Sequence, residues 1–168
     1  LPVPVVERCE ELFLDWIASA LAAKGMHPLP QFEAFAHAMG PAGGPAEVLA
    51  SRGRTSPYFA AWVNAASSHL VEQDDLHNSS VLHPATVVFP AALAAAQDVG
   101  ASGAEFIAAC VAGYEAGIRI GEFLGRLHYR IFHTTATVGT LAAAVAAGHV
   151  LKLPPEQMRN AIGSAGTQ

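Results

Sequence analysis

"SGAEFIAACVAGYEAGIRIG", residues 102–121, decides how this chain folds. Ser102 stands three positions before Glu105. In that arrangement a serine hydroxyl accepts from the N3 amide while the glutamate reaches back to the N-cap amide. Behind the cap, Phe106, Ile107, Cys110, Val111, Tyr114 and Ile118 recur at three- and four-residue steps. That period predicts a helix from 103 to about Leu124. Glu115 and Arg119 on it have the i, i+4 spacing of an ion pair.

The same grammar extends both ways. Val5, Val6, Cys9, Leu12, Phe13, Trp16, Ile17 and Leu21 trace one face of a helix over 4–24, opened by Pro4 and capped by Gly25. A shorter helix is expected over 30–39, followed by loops at 40–45 and 51–57. Ser56 and Pro57 open the next, running through Trp62 and Leu70 towards Gln73. Pro84 and Pro90 bracket the start of a helix that ends near Val99 under Gly100. Thr134 or Thr135 caps a helix over about 135–151, with His149 deep inside it as a packing element, and Pro155 opens the last. No alternation of period two and no fixed repeat is present. The expectation is an all-α fold of roughly seven helices, without a sheet of three or more strands.

Composition narrows the function classes. With 168 residues and 17.4 kDa the chain can bury a real core, yet only 14% of it is charged and its mean hydropathy is +0.32. Soluble domains usually carry about 25% charge. The surplus apolar surface is therefore expected to meet a partner subunit or further sequence. No run reaches the roughly 18–20 apolar residues of a membrane span. A net charge of -5 without a basic stripe argues against nucleic acid. Cys9 and Cys110 sit in apolar helical patterns and read as buried thiols, which suits a cytoplasmic compartment. The opening "LPVPVVERCEELFLDW" has neither a basic stretch nor a cleavage site, so no secretory leader is expected. It also lacks Met, so the true start is not expected to be shown.

One stretch is crowded. "EQDDLHNSSVLHP", residues 72–84, holds Glu72, Asp74, Asp75, His77 and His83. With His69 these residues include metal-ligand types, but no familiar ligand spacing such as His-Glu-x-x-His, so no metal is expected. A solvated turn with one or two capping aspartates is the plain alternative. His83 precedes Pro84 at the mouth of an apolar helix, and His133, in "YRIFHTTATVGT", precedes the threonines that open another. The two either face one anion pocket as base and acid, or are unrelated surface histidines.

These stretches carry a resemblance. "EQDDLHNSSVLHPATVVFPAALAAA", "SGAEFIAACVAGYEAGIRIG" and "FHTTATVGTLAAAVAAGHVLKL", in that order, resemble the MmgE/PrpD family from about residue 56 onward. The family includes 2-methylcitrate dehydratase, cis-aconitate decarboxylase and iminodisuccinate epimerase. The resemblance implies a helical domain followed by a smaller α+β lid, with residues 1–168 as a partial helical domain. The lid and the family's later lysine and tyrosine are absent, so the fragment alone is expected to be inactive. It also implies a homodimer.

Residue by residue, the family's His-Pro histidine falls on His83 and its Phe-His-x-Thr histidine on His133, implying catalytic roles for both. Its Asp-Phe-Asp-Asp-Thr motif falls on Glu72, Gln73, Asp74, Asp75 and Leu76. Glu72 and Leu76 depart from it, and Leu76 removes a hydroxyl that would be a candidate substrate contact. His77 partly fills that polar role. Glu72 and Asp75 are expected to orient His83, with Asp74, His77 and Thr134 also lining the substrate. The implied chemistry is proton abstraction beside a carboxylate in a small di- or tricarboxylate, without metal or organic cofactor. Loss of hydroxide, loss of CO2 or reprotonation can follow, so a lyase is expected. The alternatives are an isomerase or epimerase of the same family, and a non-catalytic helical interaction module.

Overall fold

Both halves of the cap at Ser102 form: Glu105 N donates to Ser102 Oγ at 3.3 Å and Ser102 N donates to Glu105 Oε2 at 2.8 Å. In the computed structural model, which describes residues 1–168, this cap opens the longest of seven helices. In chain order the elements are α1 (Val3–Ala22), α2 (Leu29–Met39), β1 (Ala46–Glu47), β2 (Arg54–Thr55), α3 (Pro57–Leu70), α4 (Ala85–Val99), α5 (Gly103–Tyr129), α6 (Thr134–Val150) and α7 (Pro155–Ala165). The two short strands pair antiparallel, Ala46 with Thr55 and Glu47 with Arg54; β2 lies inside the loop expected over 51–57, and β1 just beyond the one expected over 40–45. The fold is all-α as expected. No helix is long and apolar enough to cross a membrane.

Several boundaries differ from expectation, each for a local reason. α1 ends at Ala22 rather than 24, because the chain turns through Ala23 and Lys24 into a left-handed Gly25 with φ 78. α3 stops at Leu70 instead of reaching Gln73, and Glu72 takes the left-handed conformation with φ 54. α4 begins at Ala85, so Pro90 lies inside it rather than at its mouth. α5 breaks at Gly125, where φ is 66, close to the expected stop, and then takes a further turn to Tyr129. His133, not a threonine, is the N-cap residue of α6, and it makes no side-chain cap bond. His149 is exposed, so it is not the packing element the sequence suggested.

α4 is the centre of the packing. Nine of its 15 residues are buried, and α1, α3, α5 and α6 all lie against it. Trp16 and Phe89, both fully buried, meet at 5.8 Å between ring centroids, and Phe13 reaches Phe106 at 5.0 Å. Burial of each such side chain contributes about 1.5–3 kcal/mol. A second cluster joins Leu29, Ala60 and Val63 to Ala94. Cys9 and Cys110 are buried free thiols.

α6 comes close to α5 because small residues line the contact. A Cβ on Gly113 would stand 2.9 Å from Ala146 Cβ, and one on Gly117 would stand 3.0 Å from Ala142 Cβ. Gly117→Val is therefore expected to destabilise by about 1–3 kcal/mol through overpacking. Gly163 in α7 has open space around it. Gly163→Ala should stabilise slightly, by about 0.5–1 kcal/mol. Thermal unfolding of the two variants checks the contact: midpoints that move together would mean α5 and α6 are not held at this distance.

Candidate active site

Three helix ends meet around one imidazole, that of His69. His69 lies in the last turn of α3, His83 just before α4, and His133 at the N-cap of α6. The Asp74 side chain, from the loop after α3, is 0% exposed. Its Oδ2 accepts from His69 Nδ1 at 2.7 Å and stands 3.5 Å from His83 Nδ1. The His69 ring lies 5.1 Å from that of His83 and 5.7 Å from that of His133, centroid to centroid. The two histidines singled out in the sequence, 83 and 133, thus both border a third.

The loop between α3 and α4 is held by its other acid. Asp75 Oδ1 accepts from Ala85 N at 2.8 Å, satisfying an amide that the start of α4 cannot pair internally. Asp75 Oδ2 accepts from Tyr114 OH at 2.8 Å, tying the loop to α5. The expectation that Glu72 and Asp75 accept from His83 is corrected by these bonds. Both oxygens of Asp75 are occupied elsewhere, Glu72 is exposed, and the carboxylate beside His83 is Asp74. Of the readings left open for the acidic turn, capping applies to Asp75.

His77 pairs with Ser80 Oγ at 2.9 Å through Nδ1, and its backbone bridges to Leu82. It closes its own loop and is not packed on the three imidazoles. Leu76, where the family motif has a hydroxyl, is 50% exposed. Thr134, the first residue of α6, is buried with no partner for Oγ1. The bond from His83 N to Thr135 Oγ1, 3.1 Å long, fastens the mouth of α4 to that of α6.

Electrostatics divide the histidines. The hydrogen bond to Asp74 raises the His69 pKa, against the opposing effect of burial. Burial lowers that of His133, and the neighbouring His69 and His83 push it the same way. Burial raises the Asp75 carboxyl, while the Ala85 amide and the Tyr114 hydroxyl pull it down. Beside His69 an apolar cleft opens between Pro28, Leu29, Phe32 and Leu70, with Glu72 at its rim. A second concavity, lined by Glu33, His37 and Arg54, has no comparable convergence of titratable groups.

In the sequence His69 stands out only as a ligand type. Its signal was positional, five residues before Asp74 and in the last helical turn. His69, Asp74 and His83 each offer a ligand atom, all within 4.8 Å of one another. A tetrahedral zinc with bonds of about 2.0–2.1 Å separates its ligand atoms by about 3.3 Å. The 2.7 Å between His69 and Asp74 is instead a hydrogen-bond distance. Elemental analysis of chelator-washed protein is expected to find no stoichiometric zinc, iron or manganese; one equivalent would overturn this.

A second expectation concerns pH. A raised pKa on His69 contributes stability that is complete below the ordinary imidazole value of 6.5 and is lost as pH rises through the folded value. His69→Asn should therefore lower the thermal midpoint more at about pH 5.5 than at about pH 9. An equal loss at both would disprove the charged pair.

Residues 1–168 match the family described as MmgE/PrpD N-terminal domain. The chain is 36% identical over 179 residues to the cis-aconitate decarboxylase-like protein oryM of Aspergillus oryzae. It is 33% identical over 175 residues to the cis-aconitate decarboxylase of Aspergillus terreus. Each alignment takes in 100% of this chain and 36% of the relative, so the chain spans about a third of their length. Covered throughout by this match and folded as seven helices, three of which bring His69, His83 and His133 together at their ends, the chain belongs to the MmgE/PrpD family, whose matched relatives are enzymes of the lyase type.

Proposed function

We propose that this domain supplies acid–base groups to a cofactor-independent lyase acting on a small di- or tricarboxylate. The observation that carries the reading is the meeting of His83 and His133 around His69 and the buried Asp74, at the N-terminal ends of α4 and α6. The names of the matched relatives favour a decarboxylation of the cis-aconitate type over dehydration.

The chemistry fits these groups. A carbanion beside a carboxylate is the common species in both reactions. In decarboxylation the C–C bond to the departing carboxyl breaks, its electron pair stays on carbon, and an imidazolium returns a proton. In dehydration a neutral imidazole takes the proton, the C–O bond breaks with its electron pair going to oxygen, and an imidazolium protonates the departing hydroxide to water. We assign His83 and His133 to these transfers. Near neutral pH His133, with its lowered pKa, stands ready as a base. Thr134 Oγ1, unpartnered, and the first amides of α6 suit a substrate carboxylate. Asp74 and Asp75 hold the wall that carries these groups, and Glu72 and His77 border it. A homodimer is part of the same reading, supported by the exposed Phe123, Leu127 and Ile131 near the α6 mouth.

The test is turnover of the full-length protein on a panel of small di- and tricarboxylates, with CO2 and product mass recorded. Release of CO2 or loss of water is expected, and His83→Ala or His133→Ala should each lower kcat by about 10²-fold or more. A product of unchanged mass would move the assignment to an isomerase. No turnover on any acid would leave a helical interaction module, and near-wild-type rates in both variants would refute the two-histidine assignment.

A further inference from the structure

We infer that His69 and Asp74 are positioning residues: His69 anchors the Asp74 carboxylate, and Asp74 in turn fixes the His83 ring with its proton on Nδ1, leaving Nε2 to face the reacting carbon. The inference rests on the proposed role of His83 and adds how that imidazole is set. Its basis is geometric. Asp74 Oδ2 is shared, 2.7 Å from His69 Nδ1 and 3.5 Å from His83 Nδ1. Asp74 Oδ1 and His83 Nδ1 are both buried without a hydrogen-bond partner. The His83 side chain is nonetheless 25% exposed, so its open edge is the one away from Asp74.

Two physical facts turn this geometry into a function. A buried carboxylate without a partner is costly in a low-dielectric site and tends to take up a proton. His69 supplies that partner through a 2.7 Å bond, which holds the Asp74 carboxylate next to His83. A neutral imidazole carries one N–H, and the acceptor beside it decides which nitrogen holds the proton. Asp74 is the only carboxylate placed against Nδ1: Asp75 is spent on Ala85 N and Tyr114 OH, and Glu72 is exposed. His133 stacks on His69 and makes no bond to Asp74.

The direct readout is the tautomer of His83, taken from the ring-nitrogen chemical shifts of 15N-histidine-labelled full-length protein at a pH where that ring is neutral. Wild type is expected to hold the proton on Nδ1. Asp74→Asn should redistribute it towards Nε2 and lower kcat by about 10²-fold or more with KM changed little, the pattern of a base in the wrong tautomer. His69→Leu should weaken the same bias, and His69→Asn, whose amide can replace the Nδ1 donor, should restore most of it. Circular dichroism separates these effects from unfolding. If His69→Leu does not fold, Asp74→Asn and His69→Asn still decide.

An unchanged tautomer in Asp74→Asn would overturn the inference, as would a wild-type tautomer and kcat in His69→Leu. The tautomer is read without turnover, so the inference can fail while His83→Ala still abolishes activity. Conversely, a correctly biased tautomer together with full activity in His83→Ala would mean that the proposed function is wrong and the positioning right.

Discussion

The constraint on which the rest depends is the close approach of α5 and α6. With glycine at 113 and 117 facing Ala146 and Ala142, the two backbones come nearer than any larger side chain permits. α6 then lies against α4 as well, and its N-terminal end reaches the mouth of α4. The result is local: His83 N reaches Thr135 Oγ1, and His133 is carried to within stacking distance of His69. A wider spacing would leave every element intact and separate the imidazoles.

The loop between α3 and α4 works under strain. Glu72 and Val81 have φ of 54 and 51, in the left-handed region that β-branched valine adopts at a cost of about 1–3 kcal/mol. Such backbone survives only where neighbouring contacts over-determine it. Here they are the Asp75 bonds to Ala85 N and Tyr114 OH, and the His77–Leu82 backbone pair. Asp75 is thus the structural acid of the turn. It frees Asp74 from any capping duty and leaves it beside the histidines.

What was legible in the sequence was what is encoded locally. The Ser102–Glu105 cap, the helical periods and the stop expected near Leu124 are decided by residues within a few positions of one another. His83 and His133 were found by the grammar of helix mouths and by family resemblance. The division of labour between Asp74 and Asp75 was not legible. Adjacent, identical side chains point to different neighbours, and those neighbours, Tyr114 and His69, are set by tertiary packing. For the same reason the threonine cap was misplaced: Thr135 Oγ1 serves the backbone of a distant helix rather than its own. His149 failed as a packing element because α6 is alanine-rich all round, and composition alone does not say which face is covered.

Helix ends and local contacts act in the same sense at the candidate site. His69 stands at the C-terminal, partly negative end of α3, where a helix favours a cation, and its bond to Asp74 raises its pKa further. His133 stands at the N-terminal, partly positive end of α6, where a cation is disfavoured, and burial lowers its pKa. The Asp74 bond and burial thus drive the two stacked imidazoles towards opposite charge states, and the helix ends that carry them act in the same sense. Leu76 and exposed Glu72 contribute little polarity of their own to this wall. The polarity of this wall comes instead from imidazoles whose surroundings differ, His69 held by a buried carboxylate and His133 set at the N-terminal end of a helix.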